Sequence, residues 1–221
     1  RRIVPIDRQF RQHDWTARYE PPDEVILNGG TALVLGYGAI GQRVARVCQA
    51  LGMRILAVRR HLQEPSPADV SAEIHPPTHL HHLLPQANAL IIALPQTDET
   101  DGLIGSAELD LLPKGALLVN VGRGAIIDEA ALYEALRGGR LAAAGLDVWY
   151  SYPERPDERT CTPPSRFPFH ELDNVVMSPH RGGAFGTYYT EHARMVHLAR
   201  LLNAAACGEP MPNRIDLATG Y

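Results

Sequence analysis

The chain has few cysteines, no long apolar run and no excess of charge of one sign. Cys48, Cys161 and Cys207 are scattered over 221 residues, so they form neither a disulfide framework nor a zinc spacing, and they indicate a reducing, cytoplasmic setting. No apolar run reaches the length of a membrane span. The net charge of -4 lacks the basic excess of proteins that bind nucleic acid or membrane surfaces. These absences indicate a globular protein that binds neither nucleic acid nor membrane surfaces.

A glycine-rich turn follows the first apolar run, TALVLGYGAIG, from Thr31 to Gly41. This spacing is typical of a dinucleotide site: Gly36 permits a tight turn, Gly38 lets the backbone approach a pyrophosphate, and Gly41 lets a helix pack close to the strand. The helix N-terminus would offer free N–H groups and a positive dipole end to the phosphates. The alternative is a purely structural turn. The apolar face of the helix is predicted to consist of Val44, Val47, Cys48 and Leu51.

The next predicted strand ends at Arg59 and Arg60. An NAD site usually has an acid at this position to accept a hydrogen bond from the ribose 2′-OH, whereas a guanidinium would pair with a 2′-phosphate. The sequence therefore favours NADP over NAD, although NAD stays open. The alternative is that both arginines are merely solvated at the end of a strand.

Apolar strand patterns alternate with helical patterns after Gly30, which predicts a Rossmann-type α/β fold with a doubly wound parallel sheet. The predicted strands are Ala32–Gly36, Arg54–Val58, Ala89–Leu94, Ala116–Val121, Ala142–Leu146 and Val175–Ser178. The predicted helices are Ile40–Leu51, Thr78–Leu84, Ser106–Leu111, Asp128–Arg137 and, after a surface excursion over Tyr150–Pro168, Tyr188–Ala206. Arg1–Tyr19 has a helical pattern interrupted by Pro5. Ligands on such sheets bind beyond the carboxyl ends of the strands.

Four ordered motifs cover much of the chain. They are LPQTDETDGLIG from Leu94, LLPKGALLVNVGRGAIIDEAALYEALRGG from Leu111, AGLDVW from Ala144 and ELDNVVMSPHRGG from Glu171. In order and spacing they resemble the nucleotide-binding half of the D-2-hydroxyacid dehydrogenases, and the resemblance extends from Arg1 to Asp216. It implies a bilobal NAD(P)-dependent oxidoreductase that interconverts small 2-keto and D-2-hydroxy acids.

The resemblance also implies a division of the chain into an interdomain helix and linker (1–28), a dinucleotide-binding domain (29–186) and a C-terminal helix and tail (187–221) that returns toward a substrate-binding lobe. Almost nothing precedes the interdomain helix, so we expect a fragment or processed product with that lobe largely absent. A cleft with one wall does not exclude water. We therefore expect cofactor binding with little turnover by this chain alone, and a homodimer, which this half of the family commonly forms.

The resemblance assigns catalysis to Arg123 and His180. Arg123 would hold the substrate carboxylate and polarise the carbonyl, and His180 would exchange the proton with the alkoxide. The carboxylate that the family places beside the histidine is replaced by Tyr152, so His180 is expected to be a poorer acid; Glu154 could substitute if the loop bends. The stretch DVWYSYP also resembles the formate dehydrogenases of the same superfamily. This resemblance implies oxidation of formate as an alternative activity.

The same resemblance assigns cofactor contacts by position. Ala39 and Ile40 would bind the pyrophosphate through their N–H groups, and Asp147 would hold the carboxamide. The remaining candidates, near the nicotinamide and its ribose or beside the catalytic histidine, are Leu94, Pro95, Thr100, Val121, Gly122 and Gly182.

Two further interpretations stay open. The segment HPPTHLHH holds His75, His79, His81 and His82, but no acid or cysteine completes a set of ligands, so a solvated helix start is favoured over a metal site and no metal is predicted. Some relatives work as nucleotide-sensing corepressors with little catalysis, and Tyr152 is compatible with such a binding protein.

Overall fold

The computed structural model describes residues 3–20, 25–63, 69–183 and 186–211. Its strands form one sheet in the order β3-β2-β1-β4-β5-β6-β7, and every neighbouring pair is parallel. The strands are β1 (Thr31–Leu35), β2 (Arg54–Val58), β3 (Ala72–His75), β4 (Ala89–Ile92), β5 (Ala116–Asn120), β6 (Leu141–Leu146) and β7 (Val175–Met177). The predicted Rossmann-type α/β fold is confirmed.

Strand β3 is the one described strand without a counterpart in the prediction. Its sequence, AEIH, is too short for a clear period-2 pattern, and it lies at the edge of the sheet, where Glu73 stays exposed. Strand β4 is buried at every position, as its continuous apolar sequence predicted. It ends at Ile92 rather than Leu94, and Ala93 and Leu94 instead lie against Gly36 of the glycine-rich turn.

The helices are α1 (Ile3–Phe10), α2 (Ala39–Ala50), α3 (Leu80–Leu83), α4 (Ser106–Leu111), α5 (Glu129–Arg137) and α6 (Tyr188–Cys207). Asp128 caps α5 by accepting a hydrogen bond from the Ala131 amide at 2.7 Å. Gly208 ends α6 in the left-handed conformation. Pro5 does not interrupt α1, because a proline near the beginning of a helix removes no intrahelical hydrogen bond.

The core lies on both faces of the sheet, because alternate side chains of each buried strand point to opposite sides. Leu33 and Leu35 join one apolar cluster and Ala32 and Val34 the other. On the second face α2 packs through Gly41 and Ala45, which are buried. The prediction that Val47 and Leu51 face the core is wrong: they are 60% and 49% exposed. The other two residues of the predicted face, Val44 and Cys48, are partly buried and do pack against this cluster.

The chain divides into two compact units, residues 1–179 and 180–221. The first contains the whole sheet, and the second contains α6, none of whose residues is buried. The three-part division drawn from the sequence stays a prediction. Within the described ranges, no helix combines the length and the apolar character needed to cross a lipid bilayer.

Candidate functional site

The glycine-rich turn after β1 contains two kinds of glycine. Gly36 has φ 92°, and a Cβ there would lie 2.6 Å from the Ala93 carbonyl oxygen. A Cβ on Gly41 would lie 1.9 Å from the Gly36 oxygen. A Cβ on Gly38 would meet nothing within 4 Å. The protein itself therefore requires glycine at Gly36 and Gly41, whereas the space beside Gly38 is open to a ligand.

The N-terminus of α2 lies at this open space. Gly38 is its N-cap, no side chain caps it, and Gly38, Ala39 and Ile40 are all exposed. The first N–H groups of a helix have no intrahelical acceptor and carry the positive end of its dipole. Strand β1 also lies between β2 and β4, at the point where the strand order reverses and where doubly wound sheets bind ligands. The predicted pyrophosphate position thus lies in open space at a helix N-terminus without a side-chain cap, and it stays a prediction.

The two arginines at the end of β2 have different environments. Arg59 is only 7% exposed; its guanidinium lies 5.9 Å from the centre of the Tyr37 ring, and Nη2 donates to the Leu62 carbonyl at 3.2 Å. The side chain of Arg60 is 30% exposed and forms an ion pair with Glu99. The interpretation of both as solvated surface arginines is therefore wrong. Arg60 is the more accessible of the two.

The loop after β4 brings Leu94 and Pro95 to the carboxyl edge of the sheet. Leu94 is half-buried and Pro95 is exposed. Thr100 is buried, and its hydroxyl donates to the Pro95 carbonyl at 2.7 Å and accepts from the Thr97 amide at 2.8 Å. Thr100 thus fixes the shape of the loop that carries Leu94 and Pro95.

The segment after β5 is fixed by a buried amide that the sequence prediction did not select. Asn120 is 1% exposed; its Nδ2 donates to the Arg123 carbonyl at 2.9 Å, and its Oδ1 accepts from the Gly122 amide at 3.0 Å. The available signal was a polar residue at the end of an apolar strand. A Cβ on Gly122 would lie 2.6 Å from the Leu94 oxygen, so the predicted residues Val121, Gly122 and Arg123 lie beside the β4 loop.

Arg123 has an exposed side chain, and its Nη1 donates to the Gly122 carbonyl at 2.7 Å. The next residue, Gly124, packs against the segment after β6: a Cβ there would lie 2.3 Å from the Trp149 oxygen. The close contacts of Gly36, Gly122 and Gly124 therefore join the segments after β1, β4, β5 and β6. The predicted residues of the first unit lie along this edge.

Asp147 lies at the end of β6 and is partly buried. Its Oδ1 accepts a hydrogen bond from the Ser178 hydroxyl at 2.6 Å, and its amide donates to the Asn120 carbonyl at 3.1 Å. Trp149 is 6% exposed and donates from Nε1 to the Ser178 carbonyl at 2.8 Å. Ser178, another residue that the prediction did not select, thus links Asp147 and Trp149.

Tyr152, which the resemblance implies stands in place of a carboxylate, turns back toward Trp149. Its hydroxyl oxygen accepts a hydrogen bond from the Trp149 amide at 3.0 Å, and the side chain is 46% exposed. Glu154 is exposed, and its amide donates to the Glu158 carboxylate at 3.0 Å, at the beginning of a short 3-10 turn. The proposal that Glu154 replaces the family carboxylate stays a prediction.

The excursion after β6 is anchored by one buried carboxylate. Glu129 is 6% exposed and accepts from the Ser165 hydroxyl at 2.8 Å, the Arg166 amide at 2.9 Å and Arg166 Nε at 2.8 Å. Burial alone would raise the pKa of Glu129, but these hydrogen bonds outweigh burial, so its pKa lies below the ordinary value. The predicted surface excursion is confirmed by its mostly exposed residues.

In the second unit, His180 and Gly182 are exposed, and His180 has φ 57°. A non-glycine residue in the left-handed region is uncommon and needs support from its surroundings. His180, Gly182 and the other residue assignments stay predictions.

The histidine-rich segment offers no metal centre in the described part of the chain, where no group of three or more candidate ligands converges. His79, His81 and His82 are exposed, and His81 Nε2 lies 2.9 Å from Glu108 Oε1. This exposure matches the solvated helix start that the sequence favoured.

The chain is similar to a family of dehydrogenases. The family model described as D-isomer specific 2-hydroxyacid dehydrogenase, NAD binding domain, matches residues 1–182. A glyoxylate reductase of Aeropyrum pernix is 38% identical over 221 residues, which cover 98% of this chain and 62% of that protein. A D-3-phosphoglycerate dehydrogenase of Archaeoglobus fulgidus is 36% identical over 180 residues, 81% of this chain and 32% of that protein. The chain thus spans less than two thirds of either relative.

Solved structures extend this similarity to the fold. A D-isomer specific 2-hydroxyacid dehydrogenase from Xanthobacter autotrophicus Py2, in complex with NADPH and MES, has a TM-score of 0.78 at 27% identity over 99% of this chain and 82% of that one. A probable 2-hydroxyacid dehydrogenase from Rhizobium etli, in complex with NADP, HEPES and L(+)-tartaric acid, has a TM-score of 0.76 at 27% identity over 98% and 63%.

Proposed function

Because the chain belongs to the D-isomer specific 2-hydroxyacid dehydrogenases, we propose that it is the NADP(H)-binding half of an oxidoreductase acting on a small 2-keto or D-2-hydroxy acid. The observation that carries the proposal is the open space at Gly38, beside an uncapped helix N-terminus at the switch point of the sheet. Gly36 and Gly41 are required by the fold itself. The fold does not require glycine at Gly38, but the close approach of a pyrophosphate would.

The residues at this edge fit a dinucleotide. Ala39 and Ile40 are exposed residues of the first turn of α2, where their N–H groups would bind the pyrophosphate. Asp147 lies after the end of β6, where it would hold the carboxamide. The end of β2 has arginines in place of an acid, which supports NADP(H) over NAD(H). Arg60 is accessible enough to contact a 2′-phosphate. Arg59 packs on Tyr37 and would contribute its positive charge from a buried position. The complexes of the relatives from X. autotrophicus and R. etli with NADPH and NADP agree with this preference.

In the proposed chemistry the bound dinucleotide supplies the hydride. The exposed guanidinium of Arg123, on a segment fixed by Asn120, would bind the substrate carboxylate in a bidentate pair and stabilise charge on the carbonyl oxygen. His180 would donate the proton to that oxygen during reduction and accept it during oxidation. Binding of the dinucleotide is the part of this proposal that can be measured on this chain alone.

The test is a fluorescence titration of the 221-residue chain with NADPH and separately with NADH. We expect tighter binding of NADPH, and we expect Arg60→Ala to remove the preference by weakening NADPH alone. A control variant, Arg43→Ala, removes one positive charge from an exposed residue of α2 and should leave the preference unchanged. Equal or tighter binding of NADH by the unmodified chain would contradict the NADP(H) assignment, and binding of neither would contradict the function.

A nucleotide-sensing binding protein is the second candidate. It is favoured by Tyr152, whose hydroxyl bonds to the Trp149 amide at the position where the family has a carboxylate. The two functions differ in turnover. A screen of 2-keto acids with NADPH on the protein that contains both lobes should show reduction that His180→Ala abolishes while binding persists. Binding without turnover of any 2-keto acid would favour the sensor.

We also propose that the protein works as a cytoplasmic homodimer. Large apolar side chains are exposed on and after α1, among them Ile3 at 71%, Phe10 at 52% and Trp15 at 59%, and α6 has no buried residue. The rings of Phe10 and Trp15 are in edge contact and form one exposed apolar patch, and such patches mark protein interfaces. Sedimentation velocity should give twice the monomer mass, and a monomer at micromolar concentration would contradict the proposal.

A further inference from the structure

Two loops at the dinucleotide edge are joined by an ion pair. Arg60 follows β2, Glu99 lies in the loop after β4, and Arg60 Nη2 donates to Glu99 Oε2. The Arg60 side chain is 30% exposed and the Glu99 side chain is 74% exposed. Nothing in the motifs of either segment indicates this contact, because the two residues are 39 positions apart.

The two residues of the pair follow strands that flank β1 on either side. Strands β2 and β4 are the two neighbours of β1. An ion pair between the segments that follow β2 and β4 therefore spans the carboxyl end of β1, where the glycine-rich turn begins. The pair lies across the part of the crevice where the adenosine ribose of a dinucleotide would bind, if the pyrophosphate lies at Gly38.

We propose that Glu99 is a specificity-determining residue, which competes with a 2′-phosphate for Arg60 and thereby limits the preference for NADP(H) over NAD(H). The proposal rests on the proposed function. The carboxylate of Glu99 and a 2′-phosphate are both anions that a guanidinium binds through hydrogen bonds. NADP(H) would bind by exchanging one anionic partner of Arg60 for the other, while NAD(H) would leave the ion pair in place.

The direction of the effect follows from charge. Glu99 opposes a 2′-phosphate twice: it must release Arg60, and its own negative charge repels the phosphate. Neither effect acts on a ribose that carries a 2′-hydroxyl. Removing the charge of Glu99 should therefore tighten the binding of NADPH and leave the binding of NADH nearly unchanged. Because both side chains are partly exposed, salt should weaken the effect.

The experiment measures dissociation constants of NADPH and NADH for the 221-residue chain and its Glu99→Gln variant. We expect NADPH to bind about fivefold more tightly to E99Q, the upper range for an exposed ion pair, with NADH changed less than about twofold. The matched control is Asp98→Asn, which removes the same charge from the neighbouring exposed residue and should change NADPH binding much less. At about 0.5 M salt the gain in E99Q should shrink.

A double-variant cycle tests whether Glu99 acts through Arg60. In the Arg60→Ala background, Glu99→Gln should give no more tightening of NADPH than Asp98→Asn, because the guanidinium for which both anions compete is gone. Equal effects of E99Q and D98N in the unmodified background would overturn the inference while leaving the NADP(H) preference intact. Weaker NADH binding by E99Q would also overturn it, since Glu99 would then contact the ribose hydroxyl.

The proposed function fails in a distinguishable way. If the unmodified chain binds NADH as tightly as NADPH, the NADP(H) assignment and the inference are both wrong. If it binds neither, the function itself is also wrong. If NADPH is preferred and R60A removes the preference, the function stands and only the behaviour of E99Q decides the inference. Thermal melting of each variant, which should match the unmodified chain for these partly exposed positions, excludes a loss of folding as the cause.

Discussion

We propose that the nucleotide binds at the part of the sheet edge after β1 and β4 (the nucleotide side) and the substrate at the part after β5 and β6 (the substrate side). The two parts are held together in different ways. After β1 and β4 the chain segments touch backbone to backbone, with Gly36 against Ala93 and Gly41 against Gly36. After β5 and β6 the backbone also comes close, with Gly124 against Trp149, but polar side chains contribute as well. Asn120 and Tyr152 fix the shape of their own segments, and Glu129 joins α5 to the excursion. A backbone contact excludes every side chain except hydrogen and so tolerates no substitution. A side-chain contact can be lost one hydrogen bond at a time, so we expect single substitutions of the polar residues after β5 and β6 to cost less stability.

Gly41→Ala should have the largest effect and is the sharpest way to break the comparison. Its Cβ would lie 1.9 Å from the Gly36 oxygen, so the helix must move away from the strand. We expect the free energy of unfolding to fall by about 2–4 kcal/mol, with the gain in helix propensity offsetting little of it. Urea unfolding measures the change.

Gly38→Ala is the matched control for Gly41→Ala. Its Cβ would enter open space, so stability should change by less than about 0.5 kcal/mol. NADPH binding should nevertheless weaken at least about tenfold, because the methyl group would occupy the place of the pyrophosphate. Unchanged NADPH affinity in G38A would contradict the assignment of that space.

Glu129→Gln tests the substrate side and should have an intermediate effect. The amide keeps one acceptor for Ser165 but loses the charged bond to Arg166, whose side chain is 82% exposed. We therefore expect a loss of only about 1–2 kcal/mol at pH 7. Glu134→Gln, on the exposed face of the same helix, where Glu134 pairs with Arg137 at 2.6 Å, should lose less than about 0.5 kcal/mol.

The effect of Glu129 should also depend on pH. Hydrogen bonds hold its pKa below the ordinary value of 4.5 against the opposing effect of burial. The stability that its charge contributes is therefore complete above pH 4.5 and is lost as the pH falls through the lowered pKa. Urea unfolding between pH 7 and pH 3 should show the difference between the unmodified chain and E129Q shrinking toward acid pH. A difference that grows toward acid would contradict the lowered pKa.

Tyr152→Phe should have the smallest effect of the series. It removes the acceptor of the Trp149 amide, and since Tyr152 is 46% exposed, water can replace the hydroxyl. We expect a loss of at most about 1 kcal/mol. Tyr189→Phe, at a tyrosine that is 82% exposed, is the control and should be neutral. A loss in Y152F as large as that in G41A would remove the contrast between the two sides.

The comparison also explains what the sequence could predict. The sheet, the glycine-rich turn and the helix ends at Asp128 and Gly208 follow from local patterns, because the constraint lies within a few residues of the signal. The burial of Arg59 on Tyr37, the pairing of Arg60 with Glu99 and the anchoring of the excursion by Glu129 join residues far apart in the chain. No local pattern records such contacts. The strand β3 was missed for a different reason, since four residues at a sheet edge carry too short a pattern.

Trp149 gives the substrate side an optical signal of its own. The chain has two tryptophans; Trp149 is 6% exposed with its indole N–H bonded to Ser178, whereas Trp15 is 59% exposed. A shielded indole emits at shorter wavelength than one in water, so the two residues are spectrally distinct. With Trp15 replaced by phenylalanine, the remaining emission would come from the residue whose backbone abuts Gly124 and bonds to Tyr152. The emission wavelength of Trp149 would then report changes in packing beside the segment of Gly124 and Arg123, without any label attached to the protein.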